Sequence, residues 1–266
     1  MRDLHHISFW RRSWLFLVVL ATLLFLILPI FVVIPVSFSD SQYLTFPPPG
    51  YSLRWYSAFI ESREWQASLR ASLTAATLTM LVATPIGVMA AYAINSAAPR
   101  WARLAYGVVL LPLIVPHILI AIAVFYVYIK LRVVNSMPSI VFAHALLAIP
   151  IVTITVLAGL KSFDMKQEMV ARSLGASRLG AFFFVTLPQI APSVVCAAVF
   201  AFATSLDEVI VSLFVAGGEN TVLTRRMFVA LRDAITPTVA AISTIIIVAS
   251  LIIAGLILLL NRRTSR

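Results

Sequence analysis

The chain has 266 residues, of which 61% are hydrophobic and 11% are charged, and its mean hydropathy is +1.01. Soluble domains average about 25% charged residues, so the composition excludes a protein that folds mainly in water. The net charge of +10 does not indicate nucleic-acid binding, because the basic residues occur singly or in pairs between apolar runs. Anionic lipid head groups are the predicted partner of these charges.

Six nearly uncharged runs predict six transmembrane helices, because about 20 apolar residues in a helix cross the hydrocarbon core. The predicted fold is that of an all-α integral membrane protein with a single transmembrane domain over residues 1–266. Residues 1–12 are basic, and the run that follows them is too long for a signal-peptide core, which predicts a retained first helix. The predicted spans are 14–36, 72–94, 104–129, 139–160, 192–216 and 238–260.

An even number of spans places both termini on one side, and the distribution of Lys and Arg predicts which side this is. Twelve of the 20 basic residues fall in the two terminal segments and in the loops on the same side of the membrane as the termini. The other eight fall in the loops on the opposite side. We therefore expect both termini to be cytoplasmic. The segment 37–70, with three consecutive prolines followed by Trp55, Tyr56 and Trp65, is predicted to be an outer loop with an interfacial helix.

Polar and helix-bending residues interrupt several of the predicted spans. Prolines predict bends, because each frees backbone carbonyls that neighbouring helices must satisfy; they stand at positions 85, 112, 116 and 150. His117 and His144 also lie in apolar runs. A histidine there bonds across helices through its ring nitrogens or serves as a proton relay, and both interpretations stay open.

The longest inside segment, residues 161–187, is predicted to form two short helices, 163–174 and 178–186. Gly175 follows the first helix, where a left-handed residue is favoured. The first helix places an apolar strip beside charged residues, and a surface helix this short has little stability alone. We therefore expect it to dock against another protein.

Two stretches of this segment, Glu168-Met-Val-Ala-Arg-Ser-Leu-Gly175-Ala-Ser and Val185-Thr-Leu-Pro188, resemble the EAA loop of ABC importer permeases. The resemblance implies a type I ABC importer permease fold, in which a cytoplasmic coupling helix between spans 4 and 5 seats in a cleft of the ATPase subunit. The residues that it assigns to ATPase coupling are Glu168, Met169, Ala171, Arg172, Leu174, Gly175, Ala176 and Pro188.

The chain departs from the family pattern at the glutamate, which the family places six residues before the glycine. Met169 occupies that position, and Glu168 stands one residue earlier. One residue rotates a side chain by about 100° around a helix. Either Glu168 still contacts the ATPase, or Arg172 and the apolar strip carry the docking.

Further stretches, among them 51–56, 160–164 and 205–215, are similar to the spermidine/putrescine-type branch of these permeases. The fifth run contains Asp207 and Glu208, and a carboxylate such as Asp at the bilayer centre costs about 2.5 to 3.5 kcal/mol on insertion scales. Helical periodicity puts the two carboxylates about 100° apart, which argues against an acid/base catalytic pair. The predicted substrate pathway consists of Thr204, Ser205, Asp207, Glu208 and Ser212.

These carboxylates have two interpretations. A negative, hydroxyl-lined strip suits a cationic solute such as a polyamine, since ammonium groups must exchange water for oxygen ligands. Alternatively, one carboxylate pairs with a basic residue of a neighbouring helix or subunit. Both interpretations stay open from the residues alone.

Motifs of catalysis are absent from the sequence. The nearest phosphate-loop candidate, 175–180, is followed by Ala181 where lysine is required, and no zinc-hydrolase, serine-hydrolase or Cys-x-x-Cys motif occurs. The single cysteine, Cys196, excludes an intramolecular disulfide and a cysteine metal cluster. We therefore expect no catalytic residue, metal or cofactor on this chain, with ATP and Mg²⁺ used by a partner.

The predicted function is a permease subunit that forms half of the pathway of an ATP-driven ABC importer for a small cationic solute. The resemblance implies a location in the bacterial inner membrane, with a second homologous permease, two ATPase subunits and a periplasmic solute-binding protein as partners. The main alternative is a secondary transporter driven by an ion gradient, in which intramembrane His and Asp carry protons. A third is a membrane-embedded enzyme or assembly factor.

Overall fold

The computed structural model describes residues 9–233 and 236–264, and within these ranges the regular structure is helical, apart from one isolated β-bridge between Ser39 and Tyr51. The basic segment predicted at the N-terminus lies outside the described residues as far as residue 8. Described helices are α1 Phe9–Ser37, α2 Arg54–Glu61, α3 Arg63–Ser96, α4 Pro99–Ile114, α5 His117–Leu131, α6 Met137–Ser162, α7 Lys166–Ser173, α8 Arg178–Ala181, α9 Leu187–Asp207, α10 Ile210–Val215, α11 Leu223–Asp233 and α12 Thr238–Thr264.

The described residues divide into two compact units. The first contains residues up to 62 and residues 230–254. In it, the loop after α1 is held by hydrogen bonds rather than by a sheet: Tyr56 and Ser37 share a 2.7 Å hydroxyl contact, and Trp55 Nε1 donates to the Ser39 carbonyl at 2.9 Å. The predicted outer loop therefore carries a short helix, α2, after its prolines.

The second unit, Arg63–Val229 with residues 255–264, is built on α3, α6 and α9, which pack against one another pairwise. Small residues allow the close approach. A Cβ at Gly87 would overlap the Val152 side chain, and one at Gly159 would overlap Ser193. Apolar side chains between the three helices, such as Val152, are fully buried. These helices form the frame on which the polar groups of the protein are placed.

Four described helices are long and apolar enough to cross a membrane: Trp14–Ser37, Arg63–Ser96, Met137–Ser162 and Arg178–Asp207. The third predicted run is not one continuous helix, because α4 and α5 meet at a 95° bend. Val115 adopts an extended conformation, as expected before Pro116, whose ring also removes a backbone donor. Thr238–Leu251, the first part of α12, is a shorter apolar helix.

The fifth predicted run is also interrupted, which corrects the helical-wheel argument for its polar residues. Helix α9 ends at Asp207, Glu208 is extended with φ −73° and ψ 108°, and α10 begins at Ile210. Ser212 therefore lies on a different helix from Ser205, and the spacing of an unbroken helix does not apply across residue 208. The relative positions of these side chains are set by tertiary contacts.

The segment between α6 and α9 has the predicted helix–glycine–helix form with shifted ends. Phe163 is extended, and the Asp164 carboxylate accepts from the Lys166 amide at 3.0 Å, so the first helix begins at Lys166 rather than at 163. The second helix, α8, begins after Ser177, whose hydroxyl accepts from the Gly180 amide at 3.0 Å. A π-helical turn, Phe182–Thr186, continues it into α9.

Candidate functional site: an exposed loop and a pair of interrupted helices

Gly175 ends helix α7 in the left-handed conformation, with φ +97°, which confirms the sequence prediction. Its amide donates to the Arg172 carbonyl at 3.0 Å, and the Ala176 amide donates to the Ala171 carbonyl at 3.1 Å. This is the Schellman arrangement, which satisfies carbonyls at the helix end. The turn thus determines the direction in which the chain leaves α7.

The surface of this loop is unusually apolar for a helix of eight residues. Met169 is 55% exposed, Val170 58% and Leu174 85%, and Leu179 on α8 is 71% exposed. Arg172, Ala176 and Pro188 are also exposed, and Ala171 is partly so. We call Met169, Val170, Leu174 and Leu179 the apolar tip; such a patch marks an interaction surface.

Glu168 lies apart from the other loop residues predicted to couple, because it is buried at 3% exposure. Its two carboxylate oxygens accept hydrogen bonds from Tyr92 on α3, at 2.5 Å, and from Thr186, the residue directly before α9, at 2.6 Å. The sequence carries no signal that associates Tyr92 or Thr186 with this glutamate. Tyr92 lies 76 residues from Glu168, and no local pattern connects them.

The two helix interruptions meet at one point. His117 begins α5 directly after the bend, and its Nδ1 lies 3.4 Å from Glu208 Oε2. Glu208 is 6% exposed; its Oε1 accepts from the Val211 amide at 2.9 Å, and its carbonyl accepts from the Thr224 hydroxyl at 3.1 Å. Irregular backbone within a membrane is stable only where protein groups or water satisfy it, as they do here.

Asp207 differs from its neighbour in environment. It is exposed, and within the described residues no hydrogen-bond or ion-pair partner is found for its carboxylate. Thr204, one turn earlier, is partly exposed. The structure therefore separates the two acidic residues, because Glu208 is buried and paired to protein groups whereas Asp207 is exposed.

His144 connects the two sides of the second interruption. Its ring is 1% exposed, with Nδ1 2.7 Å from Ser205 Oγ on α9 and Nε2 3.0 Å from Ser212 Oγ on α10. The Ser205 hydroxyl also lies 3.4 Å from Thr79 Oγ1 on α3. A neutral imidazole satisfies both serines, because one ring nitrogen donates and the other accepts. These contacts favour the cross-helix role for this histidine.

We expect His144→Leu to lower the thermal stability of the purified protein, because two buried serine hydroxyls lose their partner. Interhelical hydrogen bonds in membranes contribute about 0.6 to 1.7 kcal/mol each, so the expected loss is about 1 to 3 kcal/mol. The measurement is the unfolding midpoint in detergent, with Thr155→Val as the control, since the Thr155 hydroxyl bonds within its own helix, to the Ile151 carbonyl. An unchanged midpoint for His144→Leu would show that the serines find other partners.

Long apolar helices that pack around interrupted segments define a polytopic α-helical membrane protein. The family model described as "Binding-protein-dependent transport system inner membrane component" matches residues 83–266. The chain belongs to this family. The membership identifies a transport permease component and favours that interpretation over a secondary transporter.

Relatives and solved structures agree with the family. The spermidine/putrescine transport system permease protein PotC of Haemophilus influenzae is 29% identical over 258 residues, covering 97% of this chain and 98% of that protein. The putrescine transport system permease protein PotI of Escherichia coli (strain K12) is 26% identical over 248 residues, covering 89% and 86%. A bacterial ABC transporter that imports the polysaccharide alginate matches in fold, with a TM-score of 0.74 at 17% identity over 96% and 97% of the two chains.

Proposed function

We propose that this chain is one of two permease subunits of an ATP-driven importer and forms half of the pathway for a small cationic solute of the polyamine class. Residues 1–266 form one permease domain with six crossings, in which α4 and α5 together make one span. Helix α12, with 27 residues, makes the last, since its length of about 40 Å exceeds the hydrocarbon thickness of about 30 Å. The loop between α6 and α9 faces the cytoplasm with both termini.

The apolar tip is the observation that carries this proposal. Three large side chains of the tip, Met169, Val170 and Leu174, are more than half exposed on and directly after a helix that is otherwise polar. Their exposure is explained by a protein that covers them, and the family resemblance supplies an ATPase subunit as that protein. Glu168 is turned away from this surface, so the tip and Arg172 carry the docking.

The solute class is supported by Asp207. This exposed carboxylate lies where two helix interruptions meet, and a cation at this position would be bound by a charge-assisted hydrogen bond. Discontinuous helices form the binding sites of many transporters, because the ends of such helices present unpaired polar groups to the solute. The names of the relatives PotC and PotI indicate spermidine and putrescine as the first solutes to examine.

The remaining partners follow from the family. A second homologous permease completes the pathway, two ATPase subunits bind and hydrolyse ATP with Mg²⁺, and a periplasmic binding protein delivers the solute. This chain supplies no catalytic group. Closure of the ATPases moves the docked loops and shifts the permeases between inward-open and outward-open forms.

We expect Leu174→Asp to weaken association with the ATPase by more than about tenfold, because a buried leucine contributes about 1.5 to 3 kcal/mol to an apolar contact. The measurement is the amount of ATPase that co-purifies with the tagged permease from membranes. Leu53→Asp is the matched control, since Leu53 is 62% exposed but lies in the predicted outer loop. Equal ATPase recovery with both variants would contradict the docking assignment. Solute uptake by the permease without ATP would contradict the proposal that the protein belongs to an ATP-driven importer.

A further inference from the structure

Glu168 is the buried carboxylate of a helix whose other side chains are mostly exposed. It has 3% exposure, whereas Met169 and Val170 beside it exceed half. A buried carboxylate is unfavourable unless hydrogen bonds replace the lost water. Here both carboxylate oxygens accept hydrogen bonds, one from the Tyr92 hydroxyl at 2.5 Å and one from the Thr186 hydroxyl at 2.6 Å. These bonds replace the lost water.

The two donors come from different membrane helices. Tyr92 lies in the last turns of α3, and Thr186 is the last residue of the π-helical turn that leads into α9. One side chain therefore connects the docking helix to two of the three helices that form the core. Hydrogen bonds to a charged acceptor are about twice as strong as neutral ones, which makes this connection stiff.

The Tyr92 ring is itself held in place. Phe182, the first residue of the π-helical turn, packs edge-on against it with ring centroids 4.8 Å apart. The Arg178 guanidinium lies over the ring, 5.5 Å from its centroid. Single turns of π-helix are frequent at functional sites, and this one places Phe182 against Tyr92 and Thr186 against Glu168.

We propose that Tyr92, Glu168 and Thr186, the Glu168 cluster, transmit the movement of the docked loop to helices α3 and α9. This inference rests on the proposed function and gives the displaced glutamate a role inside the permease rather than at the ATPase surface. Helix α7 has eight residues and would not hold its orientation alone. The cluster makes it move with the ends of α3 and α9.

Helix α9 then connects the cluster to the proposed solute position. It begins at Leu187, next to Thr186, and ends at Asp207, a length of about 31 Å for its 21 residues. A displacement of its first turn is therefore carried to the interruption where Asp207 and Glu208 lie. Tyr92, Glu168 and Thr186 are positioning residues in this scheme, because none of them contacts solute or nucleotide.

The test compares Tyr92→Phe and Thr186→Val in the complete transporter reconstituted in liposomes, with putrescine and spermidine as the solutes. Each variant removes one hydroxyl and keeps the shape of the side chain. We expect assembly with the ATPase to persist, while the solute transported per ATP hydrolysed falls about tenfold, the factor that corresponds to one hydrogen bond to a charged group. Thr186→Ser keeps a donor and should restore the wild-type ratio.

Matched controls make the same chemical changes away from the cluster. Tyr106→Phe alters a partly buried tyrosine on α4, and Thr155→Val alters a threonine whose hydroxyl bonds within its own helix, to the Ile151 carbonyl. Both should keep the wild-type transport ratio.

Glu168→Gln, which preserves size and removes charge, is a third variant within the cluster. It should lower the solute-to-ATP ratio as Tyr92→Phe does.

Two results would overturn the proposal. An unchanged solute-to-ATP ratio in Tyr92→Phe and Thr186→Val would remove the transmission role. A parallel loss of transport, ATP hydrolysis and thermal stability would assign the cluster to folding alone. Failure of the wild-type chain to assemble with any ATPase is a different result, because it contradicts the proposed function itself and is seen before any variant is made.

Discussion

Gly175→Pro is expected to reduce ATP-driven uptake to background while the protein stays in the membrane. Gly175 has φ +97°, which proline cannot adopt because its ring holds φ near about −65°. Proline also lacks the amide that donates to the Arg172 carbonyl at 3.0 Å. The chain would leave α7 in another direction, and the apolar tip would no longer meet its partner. Uptake by membrane vesicles, normalised to immunodetected permease, measures the effect.

Gly175→Asn is the control for this variant. Asparagine visits the left-handed region more readily than other side chains, and a Cβ at this position meets no atom within 4 Å. We expect it to retain most of the uptake and all of the membrane insertion. Normal uptake by Gly175→Pro at a normal membrane level would show that the turn does not direct the coupling loop.

Asp207→Asn is expected to lower the uptake of a cationic solute by at least about tenfold, because one charge-assisted hydrogen bond contributes about 1.5 to 3 kcal/mol. The exposed carboxylate has no protein partner within the described residues, so its replacement leaves the fold unchanged. The effect should therefore fall on the apparent affinity for the solute and leave ATPase assembly intact. Initial uptake rates over a range of putrescine and spermidine concentrations measure it.

Two comparisons decide what an Asp207 effect means. Asp207→Glu keeps the charge and should recover much of the uptake, and Glu219→Gln removes an exposed acid from the 3-10 turn Gly218–Asn220 and should have no effect. Loss of uptake with Glu219→Gln as well would indicate a general effect of negative charge. An unchanged affinity in Asp207→Asn would remove this residue from the solute pathway.

Glu208 is expected to respond differently from Asp207. Its carboxylate accepts from the Val211 amide and lies 3.4 Å from His117 Nδ1, so it stabilises the start of α10 and the meeting of two helix interruptions. The sequence left two interpretations of these carboxylates open, a structural pair and a site for a cationic solute, and we assign one to each residue. The structural pair belongs to Glu208, and the cation site that we propose belongs to Asp207.

The family could be recognised from the sequence because the loop motif is local. Glycine, alanine, leucine and proline at fixed spacing define a short helix, a left-handed turn and the start of a membrane helix, and each depends on residues a few positions apart. The turn at Gly175 and the family membership are confirmed. The helix limits differ from the prediction by a few residues, because local hydrogen bonds such as that from the Lys166 amide to the Asp164 carboxylate affect where a helix begins.

Hydrophobicity and turn chemistry act between residues that are close along the chain, so the membrane class, the apolar runs and the loop could be predicted without a structure. Three features required the folded structure: Glu168 faces Tyr92 and Thr186, Glu208 is paired while Asp207 is exposed, and His144 joins Ser205 to Ser212. Most of these partners are some 60 to 90 residues apart and are brought together by helix packing. Burial and hydrogen bonding depend on such neighbours, and no local pattern contains them.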